Sequence, residues 1–202
     1  MRLLAYKPVI TIRAEKRVPD LANLQAICSG AAMAPARATR QALIARLSGY
    51  WKMEAGNALL IPALILWLSD ARISWLTGFT LIPMIALLVL GAIYWKAKLA
   101  QIETGSDVEP AVRLIARWQW PLLALSILAL ATMVALWIEP SLAAGRADQW
   151  SATVAASLAI LEYVNYYHRQ LQHFDHAPDF RRLVSGRGWR KSQLRQDIER
   201  LG

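Results

Sequence analysis

The chain has 202 residues, 56% of them apolar, and a formal net charge of +9. That balance would suit a soluble nucleic-acid binder, but the cations fall between apolar stretches instead of forming a patch, so the expected acidic partner is an anionic leaflet and no nucleic acid. Cys28 is the only cysteine, which excludes a disulfide within the chain.

Residues 1–34 contain no apolar run, because Glu15, Lys16, Arg17 and Asp20 interrupt them. No cleavable signal peptide is expected there, and the segment reads as a poorly ordered cytoplasmic stretch, with Met33 as an alternative start. Pro35 is placed to open a basic juxtamembrane helix over residues 35–50. Leu43, Leu47 and Tyr50 recur at helical spacing, and Arg37, Arg40 and Arg46 share the segment.

Four apolar stretches follow, at residues 51–69, 76–95, 118–138 and 150–167. Leu76 to Trp95 is 20 residues without a charge, and Trp118 to Ile138 is 21. A helix rises about 1.5 Å per residue and the hydrocarbon core is roughly 30 Å thick, so about 20 apolar residues suffice to cross. The fourth stretch carries one charge, Glu162. In the first, the uncharged part, Ala55 to Ser69, is 15 residues. That is about 22 Å of helix, and full length requires Trp51, Lys52, Met53 and Glu54. A re-entrant helix competes with a span here. The short turn Asp70 to Ser74 into the next stretch favours a span.

The predicted fold is therefore an all-α polytopic membrane protein: four transmembrane helices in two hairpins (residues 51–168), short amphipathic cytoplasmic helices and a basic tail over 169–202. With four spans, the outer loops hold only Arg72 and Arg146 of the basic residues. The positive-inside bias then puts both termini in the cytoplasm and the protein in the cytoplasmic (inner) membrane. Tyr50, Trp51, Tyr94, Trp95, Trp118, Trp120, Tyr166 and Tyr167 mark the inner boundary, and Trp67, Trp75, Trp137 and Trp150 the outer one. Between the second and third spans, Gly105 is placed to stop one helix, with Ser106 or Asp107 offering a cap and Glu109 and Pro110 suiting the first turn of the next. In the fourth span Ala152, Ala155, Ala156 and Ala159 sit at packing spacing, which suits a tight bundle or a seam between copies.

The residues that bear on chemistry cluster at the inner boundary. Glu54, Asn57, Glu162 and Asn165 belong to one depth in the first and last spans, with His168 and Arg169 just above. Charges in a span are rare and tend to pair or to serve function. The favoured reading is a salt-bridged, hydrogen-bonded clasp between those spans, ahead of a site for a proton, cation or lipid headgroup. Arg181, Arg182, Arg187, Arg190 and Lys191 form a basic run without an acid among them, with Trp189 inside it, suited to anionic lipid at about 1 kcal/mol per cation. Ser192 is placed to cap a last helix whose Leu194, Ile198 and Leu201 share one face. That face suits a partner or the bundle's own inner end.

His173 and His176 are neighbours on a helix, with Asp175, Asp179 and His168 nearby. Zinc needs three or four convergent ligands, so no metal is expected from this spacing. No nucleophile motif or phosphate-binding glycine loop occurs, and no cofactor is expected. The function expected first is a non-enzymatic membrane subunit that assembles with itself or a membrane partner. A small transport or channel subunit using the Glu54/Glu162 layer comes second, and a lipid-acting enzyme third.

Overall fold

The computed structural model describes residues 21–169 and 191–201. These are helical apart from the connections between helices and one bridge, Arg169 with Lys191. The helices are α1 (Leu21–Leu68), α2 (Trp75–Thr104), α3 (Glu109–Arg117), α4 (Gln119–Ile138), α5 (Arg146–Tyr167) and α6 (Gln193–Leu201). Met1–Ala42 is one compact unit and Leu43–Gly202 a second, which holds the core. The helical backbone of α1 runs through Pro35 and Pro62 without a break between the basic segment and the apolar one.

Two helices, α2 and α4, are long and apolar enough to cross a membrane. Lys52, Glu54 and Asn57 dilute the apolar character of α1, as Glu162, Asn165 and several Ser and Thr residues dilute α5. In the Leu43–Gly202 unit, α2, α4 and α5 pack against one another in pairs. Met84, Leu87 and Leu88 of α2, Leu122, Ala129 and Leu136 of α4, and Ala152, Ala155, Ala156 and Ala159 of α5 are all sealed from solvent. The small-residue stripe therefore faces into this chain's own bundle, where short side chains let the helix backbones approach. Ala58 and Ile65 of α1 complete the same core.

The outward faces are apolar as well. Leu59, Leu60, Trp67 and Leu68 on α1, Trp75 and Ile82 on α2, Ile127, Leu128 and Ile138 on α4, and Trp150, Val154 and Leu161 on α5 are all exposed. Every long helix thus shows bulky apolar side chains on its open side.

Local chemistry sets the helix ends. At the end of α1, Ser69 donates its hydroxyl to the Ile65 carbonyl, and Asp70 and Ala71 enter the left-handed region at φ 50 and 57. Ala71 N–H then closes the turn on the Leu66 carbonyl at 2.7 Å. Ser74 caps α2 by accepting from Thr77 N–H, and Gly105 ends it at φ 74, where a residue without a Cβ meets no steric penalty. Asp107 accepts from Glu109 N–H at 2.9 Å and steadies the start of α3. Between α3 and α4 the ladder breaks at Trp118, ahead of Pro121, whose missing N–H leaves one carbonyl without its helical donor.

Candidate functional site

Polar side chains gather at the two ends of the bundle and not in its middle. At the end where α2 and α5 begin, Asp148 is almost completely buried. One carboxylate oxygen accepts from Ser74 N–H at 3.1 Å and the other from Ala144 N–H at 2.9 Å. Burial alone would raise its pKa. The donors from Thr77, Ala144 and Ser74 outweigh that and hold the carboxyl below the usual carboxylate range. Next to it, Gln149 donates to the Leu136 carbonyl at 2.7 Å and Trp137 donates to the Thr153 hydroxyl at 2.9 Å. The Trp150 ring packs edge-on to Trp137, and the Arg146 guanidinium lies 5.6 Å from the Trp137 centroid. These contacts tie the α1–α2 turn, the α4–α5 connection and the first turn of α5 into one unit.

At the opposite end, α6 docks on the bundle through Leu194 and Ile198, packing on α3 and α5. Its own helix caps it: Ser192 accepts from Arg195 N–H at 3.1 Å and donates its hydroxyl to the Tyr166 carbonyl. Asp197, 5% exposed, accepts from the Tyr94 hydroxyl at 2.6 Å and pairs with Lys98 at 2.8 Å. Arg200 adds a second, more open contact at 3.4 Å. The buried Tyr167 hydroxyl donates to the Ile115 carbonyl at 2.9 Å, where the α3–α4 break has left that carbonyl accessible. On α3, Val112 and Ile115 turn inward while Arg113, Leu114 and Arg117 stay exposed, as does Trp118 just after it.

Between α1, α2, α5 and α6 lies a cavity of about 40 Å³, lined by Tyr50, Glu54, Trp95, Asn165, Tyr166 and Gln193 among others. Glu54 is 3% exposed. Glu162 sits near enough for the two carboxylates to repel. Asn165 donates to Glu162 at 3.3 Å, a contact within α5. Tyr166 is 5% exposed, and its hydroxyl is buried beside Glu54. The ring lies so close over Gly91 that a Cβ there would meet the hydroxyl oxygen at 2.0 Å. Tyr50 and Trp95 stack obliquely at 5.2 Å, and Lys96 lies 5.7 Å from the Trp51 ring.

Of the residues expected to form the inner polar layer, Glu54 and Asn165 line this cavity, and Glu162 and Asn57 do not. Among the described residues no ion pair joins Glu54 or Glu162 to a cation. His168 and Arg169 point to a separate open groove with Lys191, Arg195 and Glu199. There Lys191 and Arg195 hold the Glu199 carboxyl below its ordinary range by hydrogen bonding. Arg181, Arg182, Arg187, Trp189 and Arg190 lie outside the described residues, as do His173, Asp175, His176 and Asp179. No cluster of three metal-ligating side chains occurs among the described residues.

Asp148 and Asp197 carry the best-formed polar contacts and have no motif to announce them. One signal was available: each is an acid within a turn of a predicted helix start or beside an apolar face, close to Ser74 or Tyr94 only after folding. No family model, no curated protein and no solved structure matches the chain.

Proposed function

We propose that the chain is an integral protein of the cytoplasmic membrane with four spans, both termini cytoplasmic, acting as a non-enzymatic subunit that assembles with membrane partners. The observation that carries the membrane reading is the apolar outer surface shared by α1, α2, α4 and α5. A soluble monomer rarely exposes contiguous apolar surface beyond a few hundred Å², whereas lipid accepts it at no cost. The packing of α1 and α5 with the two strongly apolar helices supports counting them as spans, because a helix buried beside a span shares its depth.

The middle of the bundle argues against a conduit within one chain. Between the two polar ends the core is Met, Leu and Ala, without solvent access. Thr80 and Thr132 donate their hydroxyls back to their own helices, and Ser157 faces outward. Ser126 is buried, and its hydroxyl has no hydrogen-bond partner among the described residues. The exposed Arg113, Leu114, Arg117 and Trp118 on α3 suit a helix lying in an anionic interface.

Two experiments test this reading. Membranes washed at alkaline pH should retain the protein, and only detergent should release it. Purified protein in liposomes should leave proton and monovalent cation flux at the level of empty vesicles. Flux that disappears in Glu162→Gln would replace the subunit reading with transport, and turnover of vesicle lipid would replace it with an enzyme.

A further inference from the structure

The cavity at Glu54 is a notch covered on one side by the chain's own last helix. Its walls come from the bundle: Glu54 of α1, Tyr94 and Trp95 of α2, Asn165 and Tyr166 of α5. Its cover is the start of α6, at Ser192, Gln193 and Leu194. Behind that cover Glu54 is buried.

Two attachments hold α6, and they differ in kind. Its base is pinned to the end of α5. Ser192 N–H donates to the His168 carbonyl at 3.3 Å, the Ser192 hydroxyl donates to the Tyr166 carbonyl, and Arg169 pairs with Lys191 in a bridge. Five residues on, about 7.5 Å along the helix, the second attachment reaches across to α2. There Asp197 accepts from the Tyr94 hydroxyl at 2.6 Å and pairs with Lys98 at 2.8 Å. The first attachment is a hinge and the second a latch. Tyr94 and Tyr166 each wall the notch and hold α6 as well, so the cover and the cavity share their anchors.

The covering helix is lightly held compared with the bundle. It has nine residues, too few to be stable alone in water, so docking is what orders it. Leu194 is its one buried apolar side chain, with Ile198 half-buried beside it. The ion pair adds little net hold, because Asp197 and Lys98 both regain water on release. By contrast α2, α4 and α5 seal Met, Leu and Ala side chains against one another. Elements with few buried apolar contacts open locally, ahead of the core.

We propose that α6 is a lid on Glu54. Docked, it withholds the carboxyl from water. With the Asp197 latch released, it swings at its Ser192 base and opens the notch while the bundle of α2, α4 and α5 stays folded. Lid and latch lie within one chain and stand whether or not the bundle crosses a bilayer.

The test uses the purified full chain in detergent, with Cys28→Ser and one new thiol on the notch wall, Asn165→Cys. The reagent is a trimethylammonium methanethiosulfonate, which stays in water and is too large for a covered space of about 40 Å³. Its reaction should be slow with the latch intact. Asp197→Ala should speed it by about tenfold or more, because the lost contacts to a charged group had favoured the docked form. Lys98→Met should speed it less, since Tyr94 still holds Asp197. Circular dichroism checks the helicity of each variant. Ala129→Cys, in the α4 core, reports on the bundle and should stay unreactive in every background. Without any latch substitution, the amides of Gln193–Leu201 should exchange faster than those of α4. The proposal is overturned if folded Asp197→Ala leaves the Asn165→Cys rate unchanged, if Ala129→Cys reacts along with it, or if α6 and α4 exchange equally in the unsubstituted chain. Recovery of the protein without detergent would sink the membrane reading, and the same rates measured in plain buffer would still decide the lid.

Discussion

The two ends of the bundle each bury carboxylates, and they treat them in opposite ways. Asp148 receives backbone donors on both oxygens, from segments 74 and 4 residues away. Glu54 lies as deep, with a second acid and the buried Tyr166 hydroxyl for neighbours and no ion pair among the described residues. A satisfied buried acid holds elements together, because each donor it takes would otherwise be stranded. An unsatisfied one weakens the fold where it sits and persists where something else uses it. The α6 end contains both kinds, since Asp197 is fully engaged by Tyr94 and Lys98 beside the notch.

The largest effect should come from Asp148→Ala. It strands the Ser74 and Ala144 amides and unties the α1–α2 turn from α5, at about 2–4 kcal/mol. A drop in the melting temperature in detergent of several degrees checks it. A pH series sharpens the same point. Because the folded carboxyl is held below its unfolded value, its stabilisation is present at neutral pH and is lost as pH falls through the folded pKa. Wild type should thus lose more stability than Asp148→Ala between pH 6 and about pH 3.

Asp197→Ala should come next, at about 2–3 kcal/mol, because it leaves the Lys98 ammonium and the Tyr94 hydroxyl without their acceptor. The loss should be local. Hydrogen exchange in Gln193–Leu201 should accelerate while the amides of α4 stay protected. Equal acceleration in both helices would show that the two ends are coupled more tightly than the comparison implies.

Gly91→Ala should cost about 1–3 kcal/mol by overpacking, since the new methyl meets the Tyr166 hydroxyl. Combining it with Tyr166→Phe should recover part of the loss, and no recovery would place the strain elsewhere. The smallest change is a gain. Ala71 sits at φ 57, where glycine is relieved of Cβ crowding, so Ala71→Gly should raise stability by about 0.5–1 kcal/mol, read from the same melts.

Much of the helical framework was legible in the sequence because it follows from local rules. The uncharged run 76–95 lies within α2, the run 118–138 lies within α4 from Gln119 on, and Gly105 ends α2 as its lack of a Cβ allows. Glu54 and Glu162 stood out because a charge in an apolar run is conspicuous, and Glu54 lines the cavity together with Asn165 of α5. The two small-residue readings, bundle core or seam between copies, could not be separated by spacing, and burial of Ala152, Ala155, Ala156 and Ala159 points inward. Asp148 and Asp197 were not legible. Their partners are 74 and 103 residues distant in the Ser74 and Tyr94 contacts, and each acid by itself looks like an ordinary polar residue near a helix end. His168 and Arg169 were near the Glu54 layer in sequence, but α5 ends at Tyr167 and turns them to the Lys191 groove.

In the proposed arrangement the helices thread a bilayer with the polar notch and the C-terminal helix on the cytoplasmic side. The direct measurement is labelling by a membrane-impermeant thiol reagent in intact cells, in a Cys28→Ser background, with single cysteines at Ala143 and at Gly202. The expected pattern is labelling at Ala143 and none at Gly202 until the cells are opened. Labelling of Gly202 in intact cells, or protection of Ala143 throughout, would contradict it.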